Sequence, residues 1–354
     1  MIEQFAALPY RLPLARPWQT SRGALTERRG WLVRVTAGGV KGYGDCAPLA
    51  EAGTETPESA WAALSRLRTE AVGRSIEGLL TQIAEDSSPA PAAGYAVECA
   101  LLDLASRRAD QSLRRWLSPQ AVSSVEVNAA LGALRDVTPG TLRASCSAGF
   151  RLIKIKVGLE EPTIELMRLA HLSRCLPPQT AFRLDANGAW GVEDAARVIE
   201  GLNDLPVESL EEPLREPDAA ALSQLQTTAA FPVALDESLR RIDPDLRLDG
   251  LPVRRLVLKP AVIGGLRKTL DLATRARELR VQVVVTSMLE SAAGLWPTAQ
   301  LAAAIASPAA QGLATSGWLA NDLGSAPVAA RGHITLPACA GSGFSRTAPW
   351  KPHV

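Results

Sequence analysis

The amino-acid sequence predicts an α/β fold: a closed parallel (β/α) barrel preceded by a smaller α+β region. Three observations carry this. Short apolar runs that end in polar residues recur at 125–130, 153–157, 182–186, 208–213, 233–237, 256–260, 283–287 and 312–315. Their starts lie roughly 25 residues apart, the length of one strand plus one crossover helix. Between them, stretches such as 192–202 and 266–279 repeat apolar residues at helical spacing. No glycine-rich phosphate loop follows an early run, which argues against an open doubly wound sheet. Eight such units close into a barrel whose functional residues sit at the C-terminal strand ends.

The region before the barrel, residues 1 to about 120, reads as mixed α+β. Strands are expected at 31–35 and 40–43, and helices at 57–72 and 93–117. The turn Gly42-Tyr43-Gly44-Asp45-Cys46-Ala47 has a dinucleotide-loop spacing, but Pro48 stands where a helix should already be open, so a plain turn is expected.

Composition narrows the partners. Lys plus Arg number 38 against 37 Asp plus Glu, so no net field favours nucleic acid or an anionic membrane. A small-molecule substrate is expected. The 5 cysteines are scattered and lack C-x-x-C spacing, which fits neither a disulfide framework nor structural zinc. No signal-peptide pattern opens the chain, and a reducing cytoplasm is expected. Residues 291–321 carry no charge, yet Pro297, Pro308, Gln300 and Gln311 interrupt them, so they read as a buried Ala-rich helix followed by a strand.

Charge is rarely tolerated in strands buried on both faces, yet five consecutive runs carry it near their C-terminal ends. They hold Lys154 and Lys156, then Arg183 and Asp185, then Glu211, Asp236 and Lys259. Side chains alternate along a strand, so Lys154 and Lys156 share a side, as do Arg183 and Asp185. In a barrel of eight, strands three to five are neighbours, so Asp185, Glu211 and Asp236 converge, with Lys156 and Lys259 flanking them from opposite sides. Three carboxylates without His or Cys suit Mg²⁺ or Mn²⁺. Such a cation binds a substrate carboxylate and stabilises the enediolate formed when the adjacent carbon loses its proton. A lysine ordinarily titrates at about pH 10.4, so a lysine base needs burial and nearby positive charge. Lys156 is the candidate base, with Lys154 lowering its pKa. His171, His333 and His353 fall outside the strand ends and no G-x-S-x-G occurs, so a Ser-His-Asp mechanism has no candidate.

The segments Lys154-Ile155-Lys156, Asp185-Ala186-Asn187, Glu211-Glu212-Pro213, Asp236-Glu237-Ser238 and Lys259-Pro260 resemble, in order and spacing, the enolase superfamily, and within it the muconate lactonizing enzyme subgroup. The resemblance spans most of the chain. It implies a modified (β/α)7β TIM-like barrel over 121–330 with Mg²⁺ at its mouth, and an α+β capping domain over 1–120, rejoined by the tail from about 331 to 354. It also implies that Glu211, the first acid of its pair, is the metal ligand and that Lys156 and Lys259 are the paired acid/base groups.

Gly42-Tyr43-Gly44-Asp45-Cys46-Ala47-Pro48-Leu49, Thr286-Ser287-Met288-Leu289-Glu290-Ser291 and the stretches from Gly312 and from Asn321 look like the o-succinylbenzoate synthase family of that subgroup. That family implies dehydration of 2-succinyl-6-hydroxy-2,4-cyclohexadiene-1-carboxylate in menaquinone biosynthesis. Asp45 replaces the usual Glu. An N-acylamino acid racemase or a dipeptide epimerase of the same subgroup is the alternative; Ala314-Thr315-Ser316 lacks the D-x-D by which dipeptide epimerases of the subgroup hold an ammonium, which lowers the epimerase reading. Arg183 is a candidate for orienting the base or the metal ligands, or equally a structural ion pair. Arg22 and Ser287 are the candidate substrate-binding residues, with loops near 17–23 and 48–55 covering the mouth. Oligomeric state is left open.

Overall fold

The computed structural model describes residues 1–20, 23–85 and 90–347. Arg22 lies outside them. The chain opens with a three-stranded antiparallel sheet of β1 (Gln4–Thr20), β2 (Gly23–Ala37) and β3 (Val40–Cys46), with β2 in the middle. Sequence reading missed β1 because Pro9, Pro13 and Pro17 punctuate it. Prolines are tolerated there because β1 is an edge strand, free of one set of ladder bonds. Four helices follow: α1 (Pro57–Ala71), α2 (Ile76–Glu85), α3 (Pro91–Arg108) and α4 (Leu113–Leu117). The single helix expected over 93–117 is broken at Asp110, whose φ is 52°. Gly42 and Gly44 belong to β3. A Cβ on either would collide with the α3 backbone at Ala100 and Ala96, so the two glycines bring strand and helix together.

A short β4 (Ser124–Glu126) precedes β5 (Ala129–Ala133), α5 (Pro139–Ser147), β6 (Leu152–Lys156) and α6 (Pro162–Ser173). Then come β7 (Ala181–Asp185), α7 (Val192–Leu202), β8 (Val207–Glu211), α8 (Ala219–Thr228) and β9 (Val233–Leu235). The series ends with α9 (Leu239–Ile242), β10 (Arg255–Leu258), α10 (Pro260–Ile263), α11 (Leu266–Glu278), β11 (Gln282–Val285), α12 (Ala292–Ile305) and β12 (His333–Thr335).

Strands β5 to β11 form one parallel sheet in chain order, as expected for a barrel with helices outside it. Two strands differ from the sequence reading. The first does not start at Val125: β4 pairs antiparallel with β12, and the barrel begins only at Ala129. The eighth is reduced to bridges, with Gln311 beside Val127 and Gly312 beside Thr286. There the Asn128 N–H donates to the Gln311 carbonyl at 3.0 Å and the Gly312 N–H to Val285 at 2.9 Å, which closes the ring. A side chain at Gly312 would run into Thr286. Helix α12 is the expected Ala-rich buried helix, and among the described residues no helix is long and apolar enough to cross a membrane.

Carboxylates from the first region reach the starts of two barrel helices. Asp45 accepts from the Ser291 N–H at 2.7 Å and its hydroxyl at 2.8 Å, ahead of α12, and from the Tyr10 hydroxyl at 2.6 Å. Glu98 of α3 accepts from the Leu266 N–H at the start of α11 and from Arg267 Nε at 2.9 Å. These bonds satisfy helix-end donors that water cannot reach. The tail returns to the same region, where the Ser342 N–H donates to Asp103 at 2.6 Å and the Leu113 N–H to the Gly341 carbonyl at 2.8 Å.

Candidate active site

Parallel register decides which strand-end side chains meet. Lys156 lies beside Asp185, and Asp185 beside Glu211, each pair at the last residues of adjacent strands. Lys154, one layer deeper, reaches up so that its ammonium lies 2.8 Å from both Asp185 and Glu211. Across the mouth, Lys259 lies 2.5 Å from Asp236 and 2.8 Å from Glu237. Strand β10 ends one residue before Lys259, whose backbone caps α10. The structure therefore gathers Lys154, Lys156, Asp185, Asp236 and Lys259 around one pocket of about 190 Å³, with Glu211 behind Lys154.

The lysines differ electrostatically. Burial works against charge on Lys154, but Asp185 and Glu211 outweigh it and hold its pKa above the usual lysine range. Lys259 behaves likewise, held up by Asp236 and Glu237 against burial. Lys156 moves the other way: burial pulls it down and Lys154 adds to that, while Asp185 opposes.

Sequence reasoning missed Glu237, although it stands next to Asp236 in the quoted segment. The second acid of Glu211-Glu212 supports the site from behind: Glu212 Oε1 accepts from the Asp236 N–H at 2.6 Å and from the Ser238 N–H and hydroxyl. Burial raises the Glu212 pKa to about 7, with those bonds opposing. Its φ of 48° and that of Asn187, 45°, are left-handed, a cost that surrounding structure sustains at strand ends next to sites. Ser287 lines the pocket and shares a 2.7 Å hydrogen bond with the Thr315 hydroxyl.

Arg183 does not line the pocket. It is buried below it, 3.2 Å from Glu208, which also pairs with Arg255, while its other nitrogen donates to Asn128 at 3.1 Å and to the Ala310 carbonyl at 2.9 Å. Arg255 in turn holds Gln282. Of the two readings of Arg183, the geometry carries the structural ion pair.

The donor set suits a hard cation: Asp185, Glu211 and Asp236 offer only oxygen, and Glu211 Oε1 is buried without a hydrogen-bond partner. Among the described residues, no three acidic, His or Cys side chains are gathered closely enough to hold a metal ion as they stand. The two ammonium groups balance the carboxylates instead.

The sequence matches two family models, "Mandelate racemase / muconate lactonizing enzyme, N-terminal domain" over residues 4–117 and "Enolase C-terminal domain-like" over 141–347. It is 28% identical to an o-succinylbenzoate synthase of Desulfotalea psychrophila over 89% of this chain and 95% of that one. It is 32% identical to the L-Ala-D/L-Glu epimerase of Escherichia coli, over 78% of this chain and 83% of that protein. The fold superposes on a substrate-liganded complex of the Bacillus subtilis L-Ala-D/L-Glu epimerase with a TM-score of 0.88 at 22% identity, covering 98% of this chain and 99% of that one. The chain thus belongs to the enolase superfamily, in its mandelate racemase and muconate lactonizing enzyme branch.

Proposed function

We propose that this protein is a carbon–oxygen lyase of the o-succinylbenzoate synthase type, dehydrating 2-succinyl-6-hydroxy-2,4-cyclohexadiene-1-carboxylate to 2-succinylbenzoate. The observation that carries the proposal is the asymmetry of the two facing lysines. An epimerase needs both to exchange protons in turn, whereas this dehydration needs one base and one standing cation. Lys156, with its lowered pKa, suits the base; Lys259, gripped by two carboxylates, suits the cation.

In the reaction, Lys156 Nζ takes the proton from the carbon next to the substrate carboxylate. The C–O bond to the ring hydroxyl then breaks, and the departing hydroxide takes that proton back from Lys156 as water, leaving an aromatic ring. Lys259 faces the negative charge that builds on the substrate. Ser287 and Thr315 offer hydroxyls for the remaining polar groups. Asp185, Glu211 and Asp236 would hold Mg²⁺ or Mn²⁺, which when bound supplies Lewis-acid stabilisation at the substrate carboxylate.

One observation favours a second reading. Glu51, on the turn after β3, lines the pocket and offers a carboxylate to an ammonium that Ala314 does not, as a dipeptide epimerase would need. The deciding experiment offers purified protein with Mg²⁺ both substrates. Loss of the diene absorbance supports the lyase. Deuterium uptake at the α-carbon of dipeptides or N-acylamino acids, with the diene untouched, overturns it.

A further inference from the structure

Strand β11 ends at Val285, yet the next four residues, Thr286, Ser287, Met288 and Leu289, all line the pocket. An extended chain sends alternate side chains to opposite faces, so four in a row need the backbone to turn. Strand-like pairing stops at Ser287, whose N–H donates to the Gly312 carbonyl at 3.2 Å. The turn comes at Leu289, whose φ of 59° is left-handed. A leucine avoids that region, because its Cβ crowds the following carbonyl. Glycine would take it freely but would strip the pocket of the Leu289 side chain, which is buried in its wall.

Two buried charged side chains grip the backbone on either side of this turn. Glu290 Oε2 accepts from the Met288 N–H at 2.7 Å. Arg28 Nε donates to the Leu289 carbonyl at 3.3 Å, and the same guanidinium donates to the Ala47 carbonyl at 2.6 Å and the Pro48 carbonyl at 3.3 Å, on the turn after β3. Arg28 is 2% exposed and Glu290 3%, so water does not compete for these bonds. Stability does not explain Glu290, because its other oxygen, Oε1, is buried without a hydrogen-bond partner, an expensive arrangement. A costly group that holds a strained turn beside a pocket points to function.

We infer that Glu290 and Arg28 are positioning residues for the reaction: together they hold Leu289 in its left-handed turn, and so fix where Ser287, Met288 and Leu289 meet the substrate. Arginine suits its part because its fork reaches carbonyls of two segments at once, which the single ammonium of a lysine cannot do. Released from the grip, Leu289 would keep the left-handed turn in only about one molecule in ten. The inference rests on the proposed function only in treating this pocket as the place of reaction.

Met288 reports on the turn directly. The chain has 3 methionines, and Met1 and Met167 are exposed, whereas Met288 is buried in the pocket wall. The test is NMR of the full chain with isotope-labelled methionine methyl groups, in which M288L identifies the Met288 signal; it needs neither substrate nor turnover. E290L removes the acceptor and should move that signal toward the positions of the exposed methionines, and R28K should move it in the same direction. E290Q keeps an acceptor of the same reach and should leave the signal in place. In an L289G background, where the left-handed turn needs no grip, E290L should add no more than about half of the shift it causes in wild type. Diene turnover should follow, with KM raised roughly tenfold in E290L and kcat within about threefold of wild type. A Met288 signal unmoved in E290L, moved equally by E290Q, or moved as far by E290L in the L289G background overturns the inference. Should R28K not fold, E290L and E290Q decide. A lyase assay negative in wild type removes the proposed function and leaves the grip to stand or fall on the methyl signal.

Discussion

Two layers of charge fill the barrel, one above the other, built from the same kinds of residue. The lower layer joins Arg183, Glu208, Arg255 and Gln282, none of which lines the pocket: Glu208 takes both arginines, and they hold its pKa down to about 2 against the effect of burial. The upper layer, with three lysines and four carboxylates, opens to the pocket and keeps a carboxylate oxygen of Glu211 unpartnered. Arg183 and Asp185 sit two residues apart on one strand and one face, yet belong to different layers. Charge inside a barrel strand thus announces chemistry only where its partners leave something unsatisfied or movable.

The contrast breaks most sharply on the lysines. K156A and K259A should each lower turnover at least about a thousandfold, measured as loss of diene absorbance, while circular dichroism stays native. Either variant within tenfold of wild type would remove the division of labour between base and cation. Chelation by EDTA should abolish activity, with Mg²⁺ restoring it, since the upper layer keeps Glu211 Oε1 without a hydrogen-bond partner beside Asp185 and Asp236. Activity that survives dialysis against EDTA would leave Glu211 Oε1 unexplained.

The lower layer should answer in stability instead. E208Q leaves two buried guanidinium groups facing a neutral amide, and should cost roughly 3 kcal/mol in denaturant unfolding while turnover per folded molecule stays within a few-fold. The same depressed pKa means that the folded protein binds fewer protons than the unfolded chain between its ordinary value of 4.5 and about 2. That stability is complete above the upper limit and disappears as pH falls through the lower, a loss E208Q should not show.

An effect of similar size and opposite sign is expected at Glu290, beside Asp45, where burial raises the pKa to about 7. Here the folded protein holds the extra proton, so stability is full below about pH 4.5 and falls by up to about 3 kcal/mol as pH rises to 7. Melting curves of E290Q should lack most of that decline; an unchanged slope would show that another group sets it. Least of all, S287A should raise KM a few-fold, because Thr315 stays to hydrogen-bond the substrate.

Much of this was legible in the sequence. The strand-to-helix rhythm predicts the parallel sheet, and alternation within strands places Lys156, Asp185 and Glu211 on a common face. Depth was not legible, because a same-face rule does not say how far along the barrel axis a side chain ends up; Arg183 shows this. The proline-punctuated β1 was hidden because only its place at a sheet edge makes those prolines acceptable. Glu237 was hidden because its role depends on a partner on the next strand, Lys259.

The carboxylates of Asp45 and Glu98 have a consequence for engineering. Glu98 accepts the first N–H of one barrel helix and Asp45 holds Ser291, the residue that caps another, so the starts of two barrel helices lean on groups the barrel does not own. Grafting this barrel beneath the cap of a relative would bury bare N–H groups at both starts unless the graft carried acids to the same two points. Chimeras that keep Asp45, Tyr10 and Glu98 while exchanging the pocket-facing loops should express and melt as a single unit. Those that exchange everything should precipitate before their specificity can be measured.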